Sequence, residues 1–214
     1  ALSRASGENV GTYAMTIGSL ANANYAITFV AADLTVTQRP ITVTATSASK
    51  EYGASDSTFG YTITSGSLVA GDSLSGALSR ASGENVGTYA MTIGSLANAN
   101  YAITFVAADL TVTQRPITVT ATSASKEYGA SDSTFGYTIT SGSLVAGDSL
   151  SGALSRASGE NVGTYAMTIG SLANANYNIS FTSANLTITQ RPITVTAAAK
   201  TKEYGASDPS LTYT

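Results

Sequence analysis

The chain contains no cysteine, no histidine and no tryptophan, and only four prolines in 214 residues. Without cysteine no disulfide can staple the fold, so packing alone must hold it. That absence fits the cytosol as well as a bacterial surface and decides neither. Without histidine or cysteine, the usual zinc ligands, the commonest general base and the best nucleophile are all missing. Charge is scarce too, at 11% charged residues with a net charge of -3. No basic run exists, so there is no Lys/Arg footprint for phosphates, and no nucleic-acid partner is expected. No apolar run approaches the roughly 20 residues of a membrane helix, so no membrane insertion is expected in this segment.

What the chain has is repetition. Ala1–Gly76 and Ala77–Gly152 are identical, and a third copy runs from Ala153 to Thr214. A 76-residue period suits one small domain, not one turn of a solenoid. Three copies of everything point to length, spacing and valency more than to a single substrate pocket. At 43% hydrophobic residues, each repeat has material for a small core and too much for a disordered linker. The chain starts inside a repeat, so both ends are expected to be cut from something longer.

The apolar pattern gives the phase of the repeat. Leu110 and Val112 fall on even positions, whereas Ile117, Val119 and Ala121 fall on odd ones. The parity flips across Gln114-Arg115-Pro116, where a continuous strand would turn its core face to water. Proline also belongs at a strand start or edge. Module boundaries are therefore placed at Gln38/Arg39, Gln114/Arg115 and Gln190/Arg191. Residues 39–114 and 115–190 are complete β modules, 1–38 is the C-terminal part of a module, and 191–214 the N-terminal part of another.

In the first complete module, strands are expected at Ile41–Ala45, Phe59–Thr64, Leu74–Arg80, Thr88–Ile93, Tyr101–Val106 and Leu110–Thr113. Tyr52-Gly53, Ser65-Gly66, Gly71-Asp72, Ser82-Gly83 and Asn98–Asn100 supply turn chemistry between them. Short strands at this spacing argue an all-β fold: a tandem array of small β-sandwich modules, immunoglobulin-like or similar, with little or no helix. A core of this size is largely offset by chain entropy, so such modules are marginal alone. With the last strand running through Gln-Arg-Pro into the next module, a stiff or semi-stiff rod is expected.

Arg191–Ala197 and Glu203–Thr214 carry a recognisable pattern. So do Leu78–Arg80 with Gly83–Tyr89, and Asn176–Thr189. Together these resemble the MBG ("mostly beta, glycine") domain of the YGX type, over the whole repeat. One departure is that Asp208-Pro209 reads Asp56-Ser57 and Asp132-Ser133 in the other copies. The resemblance implies tandem arrays in very large bacterial surface and secreted adhesins, including filamentous-haemagglutinin-like proteins. It implies a stalk or spacer role at the cell surface in adhesion and biofilm settings, and no catalytic residues to carry over.

Several motifs invite chemistry and resolve to structure. Ser47–Lys50 and Ser123–Lys126 match Ser-x-x-Lys, a nucleophile–base spacing that needs a helix. Here it lies in a loop before Tyr-Gly, and the third copy has Ala199 in place of the serine. Glu51, Asp56, Asp72, Glu84 and Asp109 form no Asp-x-Asp calcium loop; Asp56, Asp72 and Asp109 read as turn caps. Thr42/Thr44, Thr35/Thr37 and Thr62/Thr64 lie in different strands and read as solvent faces, not an ice-binding array. Tyr61, Tyr89 and Tyr101 share parity with core neighbours and read as core tyrosines with rim hydroxyls. Tyr52, in a loop, is a candidate for packing at a module junction. Lys50, alone in a polar loop, does not suit an isopeptide cross-link to asparagine.

No catalytic, cofactor-binding or metal-binding residues are expected, no cofactor, and no enzyme. The partners expected are the neighbouring repeats of the same chain, with self-association through cut or swapped strands as a hazard of identical copies. The expected function is a structural stalk in an extracellular adhesin. The alternative is a weak multivalent binder of glycan or matrix protein acting by avidity.

Overall fold

The computed structural model describes residues 1–214. The chain is built from strands and turns and has no helix, hence none long and apolar enough to cross a membrane. It forms two compact units, Ala1–Arg115 and Pro116–Thr214.

In the first unit, residues 39–114 make two sheets. One orders Tyr61–Ser65, Arg39–Ala45 and Tyr101–Val106; the other orders Ala48–Glu51, Asp109–Thr113, Gly87–Thr92 and Ser79–Arg80. An opening segment (39–51) passes from the first sheet to the second, and a closing segment (101–113) does the same. The two run parallel throughout. Arg39 pairs with Tyr101 and Thr44 with Val106, then Ala48 with Leu110 and Glu51 with Thr113. Each partner therefore lies 62 positions downstream, and both segments bend at the same point. The other pairings are antiparallel.

The sequence explains these faces. In the opening strand Ile41, Val43 and Ala45 point inward and are 2%, 0% and 6% exposed. The threonines between them point outward, as β-branched residues on a half-buried strand should. Tyr101, Leu110 and Val112 line the closing segment's inner face, and Met91, Leu78 and Leu96 complete the core. Pro40 is tolerated in a central strand because the antiparallel ladder on that side begins only at Thr42. Gly66 turns with φ +73° where a Cβ would lie 2.7 Å from the Pro40 carbonyl oxygen.

Two expectations need correction. Ala48–Glu51 is a strand, not a loop; its Ala-Ser-Lys-Glu sequence has no apolar face, so periodicity could not reveal it. Of Leu74–Arg80 only Ser79–Arg80 is strand, with Ser75 making a lone bridge to Ala97; Gly76 at φ +85° breaks the run. The sheets are also mixed, with first and last segments parallel, where an immunoglobulin sandwich is built from antiparallel sheets.

The two incomplete modules show what the parallel pair does. Tyr25–Val30 has the same sequence as Tyr101–Val106, yet it forms no strand, and Tyr25 is 73% exposed where Tyr101 is 4% exposed. Residues 1–38 keep only the three strands Ser3–Arg4, Gly11–Thr16 and Asp33–Val36. In the second unit Arg191–Ala197 repeats the sequence of Arg115–Ala121 but makes only a bridge from Ala197 to Tyr213. Ile193 is 83% exposed where Ile117 is 3% exposed. Residues 115–190 otherwise repeat both sheets, including the parallel pairing of Ala124–Glu127 with Leu186–Thr189. Substitutions in that copy keep their faces: Asn178 is exposed and Ile188 buried.

The repeats make a controlled test. Leu110 is 1% exposed and Leu34, at the same place in the repeat, is 37% exposed. Leu110→Ala should destabilise its module by about 2–5 kcal/mol. Leu34→Ala should cost under about 1 kcal/mol. Urea unfolding followed by residue-resolved amide resonances separates the two.

Candidate functional site

Two groupings of polar side chains stand out, and the first recurs with the repeat. The first fastens the front of a module to its back. Lys50, on the strand beside the closing segment, places Nζ 2.6 Å from Asp56 Oδ1 and 2.6 Å from Glu84 Oε2. Arg80 donates from Nε to Asp56 Oδ2 (2.6 Å) and from Nη2 to Glu84. Its Nη1 also donates to the carbonyls of Ala81 (3.0 Å) and Gly83. The guanidinium stands 5.2 Å from the centre of the Tyr89 ring, a cation–π distance. Tyr89 donates to the Asn85 carbonyl at 2.7 Å. Gly83, at φ +134°, is needed beneath that ring: a Cβ there would lie 2.3 Å from Tyr89 Cε1.

Both cationic side chains are almost fully covered, Lys50 at 6% and Arg80 at 9% exposure, while Glu84 is 61% exposed. The cluster is thus a rim clamp whose aliphatic stems are buried and whose acids remain wet. Burial opposes the charge on Lys50, but its bonds to Asp56 and Glu84 prevail and raise its pKa. Arg80, and then Lys50, hold the Asp56 carboxyl below its ordinary value. Lys50 and Arg80 do the same for Glu84. Lys126, Asp132, Arg156 and Glu160 repeat the cluster in the next module.

This arrangement answers the sequence motifs. Lys50 is a firmly protonated ammonium between two carboxylates, unsuited to act as the base of a Ser-x-x-Lys pair. It faces Asp56, not an asparagine, and Arg80 keeps that carboxylate ionised, so the contact is an ion pair. Asp56 is a clamp residue and not a turn cap. Among the tyrosines, Tyr101 is buried, Tyr89 is half-buried beneath Arg80, and Tyr61 is 36% exposed and so not a core residue. Thr44 and Thr64 bond through their hydroxyls at 2.8 Å across neighbouring strands.

The second grouping lies where residues 1–38 meet residues 39–114 inside the first unit. Thr37 and Gln38 are the two residues outside strand before Arg39, and Gln38 Nε2 donates to the Ala99 carbonyl at 3.1 Å. The Arg39 amide donates to the Asn100 carbonyl at 2.9 Å. Asn98 closes its own loop by accepting from the Asn100 amide (2.9 Å) and donates to the Ser73 carbonyl (2.8 Å). That fixes Asn100, whose Oδ1 accepts from the Val10 amide (2.9 Å) and whose Nδ2 donates to Asn9 Oδ1 (2.9 Å). Tyr101 follows, its hydroxyl donating to Asp72 Oδ2 (2.5 Å) and accepting from the Val69 amide (2.8 Å). Burial first, and then Asp72, raise the Tyr101 pKa. The cleft here, about 370 Å³, is lined by Asn9, Val10, Arg39, Asp72 and Asn100 among others. At the opposite end of the module the Tyr52 amide donates to the Thr113 carbonyl (2.9 Å), and Arg115 Nη1 reaches the Tyr52 carbonyl (3.5 Å). Tyr52 is 8% exposed and packs at the module's exit end.

The sequence singled out Tyr52 and the Asn98–Asn100 turn, but not the clamp. The clamp joins residues from distant strands, and its only local trace is the Arg80/Glu84 spacing.

The clamp has a pH signature. Carboxylates with lowered folded-state pKa values contribute stability above their unfolded values of about 3.8 and 4.5, and lose it as pH falls through the lowered values. The lysines contribute fully below 10.5 and lose it as pH rises past their raised values. The melting temperature should therefore be flat between about pH 6 and 9 and fall below about pH 4. The variant Asp56→Asn/Asp132→Asn should show a lower plateau and a shallower acid limb in thermal melts.

A comparison with curated proteins finds no match. A comparison with protein families finds the MBG domain (YGX type) three times, over residues 1–35, 41–111 and 117–187. The matched stretches span most of the sequence, and those over 41–111 and 117–187 each hold a parallel pair and a clamp. The chain belongs to the MBG domain family of the YGX type.

Proposed function

We propose that this chain is a spacer segment of a large bacterial surface or secreted adhesin, carrying tension and setting reach without catalysis. The observation that carries this reading is the direction of the two terminal segments of a module. The chain enters at Arg39, opposite Tyr101, and leaves after Thr113, opposite Glu51. Entry and exit thus lie at opposite ends of one parallel ladder. Tension between them loads the ladder in shear, so its bonds resist together and do not unzip singly. The opening segment advances the chain by up to about 40 Å over its length, at about 3.3 Å per residue. Only Thr37 and Gln38 separate closing and opening strands, and Asn100 fastens the preceding module, which favours a stiff joint. MBG repeats are typical of large surface proteins, which supports an extracellular setting.

A second reading has one observation in its favour, the polar cleft at the module joint. There each repeat would weakly engage a glycan or matrix protein, with avidity from copy number.

Small-angle X-ray scattering on one module (39–114), two modules (39–190) and three, the third a further copy of 115–190 joined after Gln190, distinguishes them. The spacer reading expects the maximum dimension to grow by a constant increment of about 30–45 Å per module. Increments that shrink with number would overturn it. Solid-phase binding that falls steeply with fewer modules would favour the second reading.

A further inference from the structure

We infer that Asn178 is a site of N-linked glycosylation, particular to the third copy of the repeat, which takes a sugar activated at its anomeric carbon as a diphosphate ester. The motif is Asn178-Ile179-Ser180, an Asn-x-Ser/Thr acceptor. No such triplet occurs in residues 1–177. The matching stretches of the first two copies read Ala26-Ile27-Thr28 and Ala102-Ile103-Thr104. A second triplet, Asn185-Leu186-Thr187, stands where the second copy has Asp109-Leu110-Thr111.

Residues 153–177 repeat 77–101 without a difference, and 177–189 then depart from 101–113 at 178, 180, 182, 183, 185 and 188. Packing accounts for some of these changes. Ser183 donates its hydroxyl to the Met167 carbonyl at 2.7 Å, and Ile188 is 1% exposed in the core. Packing does not account for Asn178. Asparagine is depleted in strands, yet this one lies inside the strand Tyr177–Thr182 with its side chain exposed. That side chain has no hydrogen-bond partner within the chain. The nearby turn asparagine behaves differently. Asn174 accepts from the Asn176 amide (3.0 Å) and donates to the Ser149 carbonyl (2.9 Å). Asn174 is committed to the fold, and Asn178 is free to react.

Asn178 and Ser180 are two apart on one strand, so the amide and the hydroxyl leave the same exposed face. Tyr177–Thr182 is the outer strand of its sheet, beside Arg115–Ala121 and then Tyr137–Ser141. A transferase can therefore approach along its open side. Asn185 is less accessible. Its strand lies between Ala124–Glu127 and Gly163–Thr168, with Asn185 opposite Ala166. A bulky, hydrophilic glycan on Asn178 would also cover an open strand edge, which otherwise templates pairing with another chain.

The chain supplies the acceptor, and a separate transferase supplies the catalysis. Asn178 Nδ2 forms a bond to the anomeric carbon while the bond from that carbon to the phosphate oxygen breaks. The diphosphate leaves with the bonding electron pair, and the amide proton passes to a base of the transferase. Nucleotide-linked and lipid-linked sugars both carry this leaving group.

The test is peptide mass spectrometry on the protein recovered from the cells that make it. Cleavage after lysine and arginine, except before proline, gives 157–200 from the third copy. It gives 5–50 and 81–126 from the first two, identical to each other and without an acceptor triplet. A sugar adduct is expected on 157–200, placed on Asn178 by fragmentation, with 5–50 and 81–126 bare. Ser180→Ala should abolish the adduct while leaving Asn178 in place, and Ser180→Thr should retain it, both with unchanged melting temperatures. Incubating the unmodified chain with a nucleoside diphosphate sugar and membrane-free extract of the same cells distinguishes the donors. Transfer there identifies a nucleotide-linked sugar, and transfer that requires the membrane fraction identifies a lipid-linked one. Four results would overturn the inference. These are a bare 157–200, an adduct that survives Ser180→Ala, an adduct on Asn185 alone, or equal adducts on 5–50 and 81–126, which would be linked to hydroxyls.

Discussion

Everything in a module hangs on the parallel pairing of its first segment with its last. The two are 62 residues apart, so bringing them together costs about 3–4 kcal/mol of loop-closure entropy. Burying Ile41, Val43 and Tyr101, at about 1.5–3 kcal/mol each, offsets that cost. Neither segment is stable without the other, because each supplies the surface on which the other's apolar residues lie. The bend shared by both at the sheet crossing keeps them paired across two sheets, and so ties those sheets into one unit. The rim clamp follows the same division, with Lys50 and Asp56 contributed by the front and Arg80 and Glu84 by the back.

The sequence repeats turn this dependence into an internal experiment. Six residues from Tyr25 and six from Tyr101 have the same side chains, the same neighbours in sequence and the same propensities. Only the second set lies beside an opening strand, and only the second set is a strand. Local preference is thus insufficient here, and tertiary pairing decides. Such dominance of distant contacts makes for slow folding and long-lived half-made modules. Identical neighbouring copies then offer wrong partners of equal quality, which is a misfolding hazard.

Much of this was legible beforehand. Alternation at Ile41–Ala45 and Leu110–Thr113 marked core strands. The absence of any 3.6-residue period excluded helix, and the quoted motifs pointed to the family. The Ala48–Glu51 strand was not legible, because its burial comes from the stem of Lys50 within an ion cluster and not from an apolar stripe. Parallel orientation was not legible either, since alternation carries no direction. The clamp was invisible because Lys50, Asp56 and Glu84 meet only after the sheets form. Asn100 looked like turn chemistry, and it is; its second role, reaching Asn9 and Val10, depends on the module before it.

Amide hydrogen exchange on segmentally labelled chain, kept dilute enough to remain monomeric, tests the central dependence most directly. The comparison is between the amides of Ile27 and Ile103, two residues in identical sequence. The account predicts that Ile103 is protected by a factor on the order of 10³ or more, while Ile27 exchanges nearly as an unfolded peptide does. Equal protection at the two sites would contradict it, showing that the strand forms without its distant partner.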